Sequence, residues 1–397
     1  MEDKWLKGNE LKYLKEVLEN KKETKNNPFC DRLEEIFCKT YGSKYAVAVN
    51  SGTSALHAML VAAGVGPGDE VITTPFTVLV DASMPIFLGA KPVFADVDYF
   101  THNINPNSIE ERITKKTKAV IAVSYHGTPY DIDAVKKICD EYGLVMIEDD
   151  AQAHLAEYKG RFVGKDADMT MFSLERTKHV SCGEGGVVIT NDEGCAESVR
   201  KFSGMGFKTL KAKKGDLSAV TPLSYQHPNY KRHDCLGLNY RLPEFCAAVA
   251  LAQMERVKEI VKIRRDIAKL YNDIFKNTSF EPQRIPTDCV SSYFTYSVKS
   301  PFNIKEWEEF YKLHIKNGGD DFYAGMALSY TEPALARLGY YIDWKGKCGT
   351  AEYIQPKIMQ FKTNYSNIEE ASKYIIKLKE SIELYCDNNE KDVRFIK

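Results

Sequence analysis

Between residues 45 and 190, short apolar runs alternate with segments of helical period. This alternation limits what the chain can become more than any single motif does. Strands are expected at 45–49, 70–74, 92–95, 118–124 and 144–147. Helices are expected after Asn50 and at 77–88, 106–113 and 132–142, the third opening on Pro106. Strands separated by helices imply a largely parallel sheet covered on both faces, an α/β fold. In such sheets ligands collect beyond the carboxyl ends of the strands. Residues 50–54, 74–77 and 148–152 all lie at such ends.

The flanking segments are read the same way. Helices are expected at 9–20 and 29–41, and 205–238 is irregular. The stretch 243–277 has no glycine and no internal proline, so it reads as one long helix or two in tandem. A strand at 293–298 and helices at 304–317 and 367–385 follow, with a polar, loosely held tail from 386 to 397. The expected division is a large ligand-binding domain over 1–250, including the N-terminal helical segment, and a smaller α+β domain over 251–397.

Net charge is −1, with acidic and basic residues interspersed, so no global field points to nucleic acid or an anionic membrane. No apolar run reaches the roughly 20 residues of a membrane helix. No apolar leader follows Met1, so a cytoplasmic protein with reduced thiols is expected. The ten cysteines lack zinc-knuckle and CxxC spacings, and no metal is expected. Cys182 reads as a small packing residue rather than a nucleophile.

The chemistry gathers in residues 147–190. An apolar run ends in Glu148-Asp149-Asp150, a second strand-like run spans 169–173, Lys178 follows, and Gly183-Glu184-Gly185-Gly186 leads into Val187-Val188-Ile189. A lysine amine condenses with an aldehyde cofactor, provided burial lowers its basicity. An aspartate beside a pyridine nitrogen keeps that nitrogen protonated. Lys178 and Asp149 are therefore the expected catalytic pair, with pyridoxal phosphate on Lys178, which then moves a proton as general acid and base. Taken singly, Lys178 also reads as a surface lysine, Asp149 as a helix cap and 183–186 as a turn. A strand, a small-residue turn and a helix at 45–56 make a phosphate seat in which Gly52 lets the backbone approach. The plainer reading there is a helix capped by Ser51 or Thr53. The cations at 208, 211, 213, 214 and 231–233 read as a solvated loop or as an anion-binding loop over the site.

These residues also carry a family resemblance. The blocks AVNSGTSALHAML (48–60), PFT (75–77), VFADVD (93–98), IEDDAQAH (147–154), TKHVSCGEGGVVIT (177–190) and GLNYRLPEFCAA (237–248) resemble those of the DegT/StrS-type sugar aminotransferases, a branch of the fold-type I pyridoxal phosphate enzymes. The resemblance implies a central seven-stranded, mostly parallel sheet and a homodimer with shared active sites. It implies that Lys178 binds the cofactor, Asp149 its pyridine nitrogen and Gln152 its ring hydroxyl. Thr53 and Ser54, following Gly52, would hold the phosphate with Ser173. Asn239 would reach the phosphate in the neighbouring subunit. L-glutamate would be the amino donor and a keto-sugar, nucleotide-linked, the acceptor.

Four positions depart from the family pattern. Val78 stands where an aromatic commonly covers the cofactor ring, with Phe76 a possible substitute. Asp150 replaces a small residue, Cys246 a frequent Gln, and Leu174-Glu175-Arg176 is unusual before the lysine. A sugar dehydratase of the same fold is the alternative enzyme, though it would place His at position 178, and His179 is one residue away. A non-catalytic sensor homologue is the third reading.

Overall fold

The alternating region forms one seven-stranded sheet. A computed structural model describes residues 7–19, 28–213 and 226–388. In chain order the first strands are β1 (Tyr45–Val49), β2 (Glu70–Thr73), β3 (Lys91–Phe94), β4 (Thr117–Val123) and β5 (Val145–Asp149). A small hairpin of β6 (Glu157–Tyr158) and β7 (Arg161–Phe162) precedes β8 (Met169–Ser173) and β9 (Gly186–Thr190). The sheet order is β1-β9-β8-β5-β4-β2-β3. Only β9 runs antiparallel to its neighbours. The carboxyl ends of β1, β2, β4, β5 and β8 therefore share one edge, where Gly186 pairs with both Val49 and Ser173.

Period-2 alternation assigns side chains to the two faces. Ile147 and Met171 enter the core shared with helices α3 (Gly52–Ala62) and α7 (Glu193–Ser203), whereas Met146 enters the opposite core. Asp149 thus takes the face of Ile147, and Glu148 the other. Helices α1 (Glu10–Glu19) and α2 (Pro28–Tyr41) pack with α8 (Glu244–Glu255) in a third core over the β8–β9 end of the sheet.

The run expected at 243–277 is two helices, α8 and α9 (Val257–Phe275), broken at Arg256. Beyond it, β10 (Glu281–Pro282), β12 (Thr295–Lys299), β13 (Tyr323–Ala324) and β14 (Ile358–Lys362) form a separate antiparallel sheet. Strand β11 (Cys289–Val290) joins the β6–β7 hairpin instead. The antiparallel sheet shares a core with α9, Ile304–Lys316 and Ile368–Asn388. Short helices between 333 and 354 return to the large sheet, with Trp344 edge-on to Phe94 at 5.2 Å.

Several sequence-based bounds shift. Helix α4 spans Val80–Phe87, since the Thr77 hydroxyl donates to Asp81 and 77–78 stay in the loop. Helix α5 spans only Pro106–Glu110. Strand β5 continues through Glu148 and Asp149 because Val123 and Met171 pair beside them, overriding the weak strand preference of acidic residues. Cys386, expected in a loose tail, is 1% exposed within the last helix. Residues 389–397 lie outside the described residues.

Candidate active site

Lys178 lies in the loop between β8 and β9, its amide donating to Glu175 O at 3.0 Å. Its Nζ sits 4.4 Å from the Phe294 ring centroid. Burial lowers its basicity most; Asp149 and Glu175 oppose this, Arg264 adds to it, and Asp81 opposes it weakly. Arg264, from α9, is 4% exposed. Its guanidinium donates to the carbonyls of Thr177 (3.2 Å), Lys178 (3.3 Å) and Phe294 (2.8 Å). Those acceptors are neutral, and desolvation brings Arg264 down to about 9. It remains a cation at neutral pH and holds the lysine loop against the C-terminal part of the chain.

Asp149 is 4% exposed, and its Oδ1 accepts from the Ala151 amide at 2.9 Å. Burial raises its pKa, while the Ala151 amide, Lys178 and Asp81 pull it back. Asp81 shares this face and was not among the expected site residues. Its place in the first turn of α4 reads from sequence as an ordinary dipole partner. On the opposite face Glu148 accepts from Tyr130 and Thr170, each at 2.9 Å, and burial pushes it up to about 7. Asp150 is fully buried, and burial with the nearby Glu148 raises it well above the ordinary carboxylate range.

The expected phosphate seat lies at the β1–α3 junction. Ser51 caps the helix, its Oγ accepting from the Ser54 amide at 3.0 Å, and Ser54 Oγ donates to Asn50 Oδ1 at 2.6 Å. Gly52 and Thr53 precede the first amide of the helical ladder, so their N–H groups open outward. A side chain on Gly52 would meet Ser173 Cβ at 3.1 Å, and one on Gly186 would strike Ser51 O at 2.5 Å. Both glycines are thus required for β1, β8 and β9 to bring this helix end beside Ser173. Gln152 is 3% exposed and its Oε1 accepts from the His126 amide at 2.8 Å, which leaves its NH2 group to act as donor.

The remaining expected residues fall differently. Val78 is 39% exposed at the carboxyl edge of the sheet. Phe76 is fully buried against Tyr125 at 4.9 Å, so it cannot substitute as a ring-covering aromatic. Asn239 is exposed, pairs with Gly204 and accepts from Arg241, on the surface beside α7. The basic loop also lies there: Lys211 reaches Glu197 at 3.4 Å and Lys208 covers Tyr230 at 4.1 Å. Lys214 lies outside the described residues. His179 is buried with Nε2 on Ser292 O at 3.1 Å, so Lys178, not His179, faces Asp149. The adjacent Cys246 thiol, and then burial, push the Cys182 thiol up, as suits a packing residue.

The family model for the DegT/DnrJ/EryC1/StrS aminotransferases matches residues 5–376. This chain belongs to that family. Among solved structures it is similar to an aminotransferase from Psychrobacter cryohalolentis, at 28% identity and a TM-score of 0.84, over 96% of this chain and 97% of that one. It is also similar to DesV of S. venezuelae, at 25% identity and TM-score 0.81, over 94% of each chain. PseC of Helicobacter pylori shares the fold at 24% identity and TM-score 0.82, over 95% of this chain and 96% of that one. As a member of this family the chain is a transaminase whose cofactor is pyridoxal phosphate. The outward amides of α3, the Gly52–Ser173 approach and a desolvated lysine beside a buried aspartate fit that group. No helix among the described residues is long and apolar enough to cross a membrane.

Proposed function

We propose that this aminotransferase moves an amino group from L-glutamate to the keto group of a nucleotide-linked sugar, for amino-sugar synthesis. The observation that carries the amino-transfer part is the Lys178 amine, desolvated and facing the Asp149 carboxyl. The acceptor class rests on the six sequence blocks.

The amides of Gly52 and Thr53, with the hydroxyls of Thr53 and Ser173, would hold the cofactor phosphate, and Ser54 would join them by turning its hydroxyl from Asn50. Asp149 would keep the proton on the ring nitrogen, and the Gln152 NH2 group would donate to the ring hydroxyl. Val78 would cover one ring face by apolar contact in place of a stacked aromatic. Bound pyridoxal phosphate supplies the electron sink for the substrate carbon. Lys178 Nζ would be the group that carries a proton between substrate and cofactor, as general acid and base. Its lowered basicity keeps a larger neutral fraction for that task at neutral pH.

The working unit is proposed to be a cytoplasmic homodimer in which Asn239 of each copy reaches the cofactor phosphate of the other. Exposed Leu236, Leu238 and Phe245 flanking Asn239 support this, since an apolar strip beside a polar ligand suits a subunit interface. The division into domains at about residue 250 is likewise proposed, on the grounds that α9 and the antiparallel sheet share a core of their own.

The test is spectroscopic. Protein loaded with pyridoxal phosphate should absorb visible light, and L-glutamate should bleach that band. A panel of keto-sugar nucleotides is then scored by return of the band. A protein that fails to bind the cofactor, or a bleached form that no keto-sugar nucleotide restores, counts against the proposal.

A further inference from the structure

We propose that Asp81 shares one proton with Asp149 and thereby sets how firmly the cofactor ring nitrogen is held. This deepens the reading above and rests on Asp149 as the ring-nitrogen partner.

Asp81 is fully buried at the head of α4. The Thr77 hydroxyl donates to its Oδ2 at 2.8 Å and fixes the carboxyl plane. Its Oδ1 is buried and has no N–H or O–H donor among the described residues. The carboxyl of Asp149, itself 4% exposed, faces it. Two carboxylates cannot hydrogen-bond each other unless one keeps a proton, and two adjacent buried negative charges do not both ionise. The other charged group facing Asp81 is the Lys178 amine, and its pull is the weakest influence there. Asp149 faces Lys178, the Ala151 amide and Asp81, while Asp150 and Glu148 stand behind it, on the far face of β5.

The proton resides on Asp81, because desolvation and the neighbouring Asp149 both push it well above the ordinary range, whereas Asp149 keeps an amide donor. Asp81 O–H then donates to the Asp149 carboxylate. That bond stabilises Asp149 as the anion despite burial and makes it a weaker base. A weaker base leaves the ring nitrogen's own proton in place instead of drawing it away. The charges then balance: Asp81 is neutral, Asp149 is −1 and the protonated ring nitrogen is +1. The two carboxyls titrate as a pair, so the second ionisation, that of Asp81, falls at a higher pH than the first.

Asp81→Asn keeps a donor at this position but cannot ionise. Asp81→Leu keeps the volume and removes the donor. Each apo protein is titrated with pyridoxal phosphate, and the visible band is followed for dissociation constant and for pH dependence. Asp81→Asn should bind within about threefold of wild type and lack that second ionisation step. Asp81→Leu should bind about 10- to 100-fold more weakly, the loss of one charge-assisted hydrogen bond. Wild-type affinity and pH profile in Asp81→Leu, or an Asp81→Asn variant as weak as Asp81→Leu, overturns the shared proton. Asp149→Ala is measured in parallel. If it binds like wild type, the ring-nitrogen reading itself falls, which is a different failure from loss of the pair alone.

Discussion

The Lys178 amine is tuned by opposing neighbours. Desolvation lowers its pKa from 10.5, Asp149, Glu175 and Asp81 resist, and Arg264 lowers it further. Apo protein should therefore react with pyridoxal phosphate with a midpoint below pH 10.5, followed as visible absorbance against pH. Lys178→Arg should abolish that band and reduce turnover about 10³-fold or more, since the proposed proton carrier is gone. Substituting Arg264 tests the same balance from the other side. Arg264→Met removes the cation, so the midpoint should move to higher pH, toward that of a free lysine. Loss of its carbonyl bonds would destabilise the fold, but loss of a buried charge without a carboxylate partner offsets part of this. The net cost should be about 1–2 kcal/mol by chemical denaturation.

At the scale of elements, the site depends on how closely β1, β9 and α3 approach. Gly186→Ala should push Ser51 and the head of α3 away, since the added methyl lies 2.5 Å from Ser51 O. The expected costs are about 1–3 kcal/mol of stability and at least roughly tenfold in cofactor affinity. An unchanged dissociation constant would show that the helix end does not hold the phosphate. His154 ties α2 to the end of β8, with Tyr41 OH on Nδ1 at 3.2 Å and Ser173 O on Nε2 at 3.4 Å. Burial lowers its pKa from 6.5 to about 4, so the unfolded chain takes up the proton first as pH falls. Its contribution is complete above pH 6.5 and is lost progressively down to about pH 4, on the order of 3 kcal/mol. Denaturant curves should therefore show falling stability between about pH 6.5 and 4, with a shallower slope in His154→Gln. A variant that keeps the wild-type slope would assign the acid sensitivity to other buried histidines, such as His179 or His126.

At the scale of the whole molecule, the carboxyl edge of the large sheet is closed by the C-terminal part of the chain. Phe294 lies against Lys178, Ser292 holds His179, and Arg264 ties the lysine loop to Phe294 and Thr363. Short helices from 333 to 354 and residues around 328–330 seal the other side of the same sheet through Phe94. These segments lack strong sequence periodicity because they bury single residues into a surface built elsewhere. That is why β13, β14 and the short helices carried no readable signal, while the helices at 132–142 and 304–316 did. The break at Arg256 was legible only as a choice between one helix and two, since neither glycine nor proline marks it.

The sequence by itself determined the parallel sheet, the carboxyl edge proposed for the ligand, and the approximate positions of Lys178, Asp149 and the Gly52 turn. Each of these follows from local chemistry: apolar period, a small-residue turn before a helix, or a reactive amine after a strand. Which groups surround the amine was decided only by tertiary structure. Asp81, Arg264 and Phe294 come from separate parts of the chain, and each alone reads as a first-turn acid, a helix arginine or a strand aromatic. Tertiary structure also buried Phe76 and left Val78 beside the site. The reason is that charge sharing and desolvation depend on distances across strands, set by crossover connections and close glycine contacts, and no local pattern records those distances.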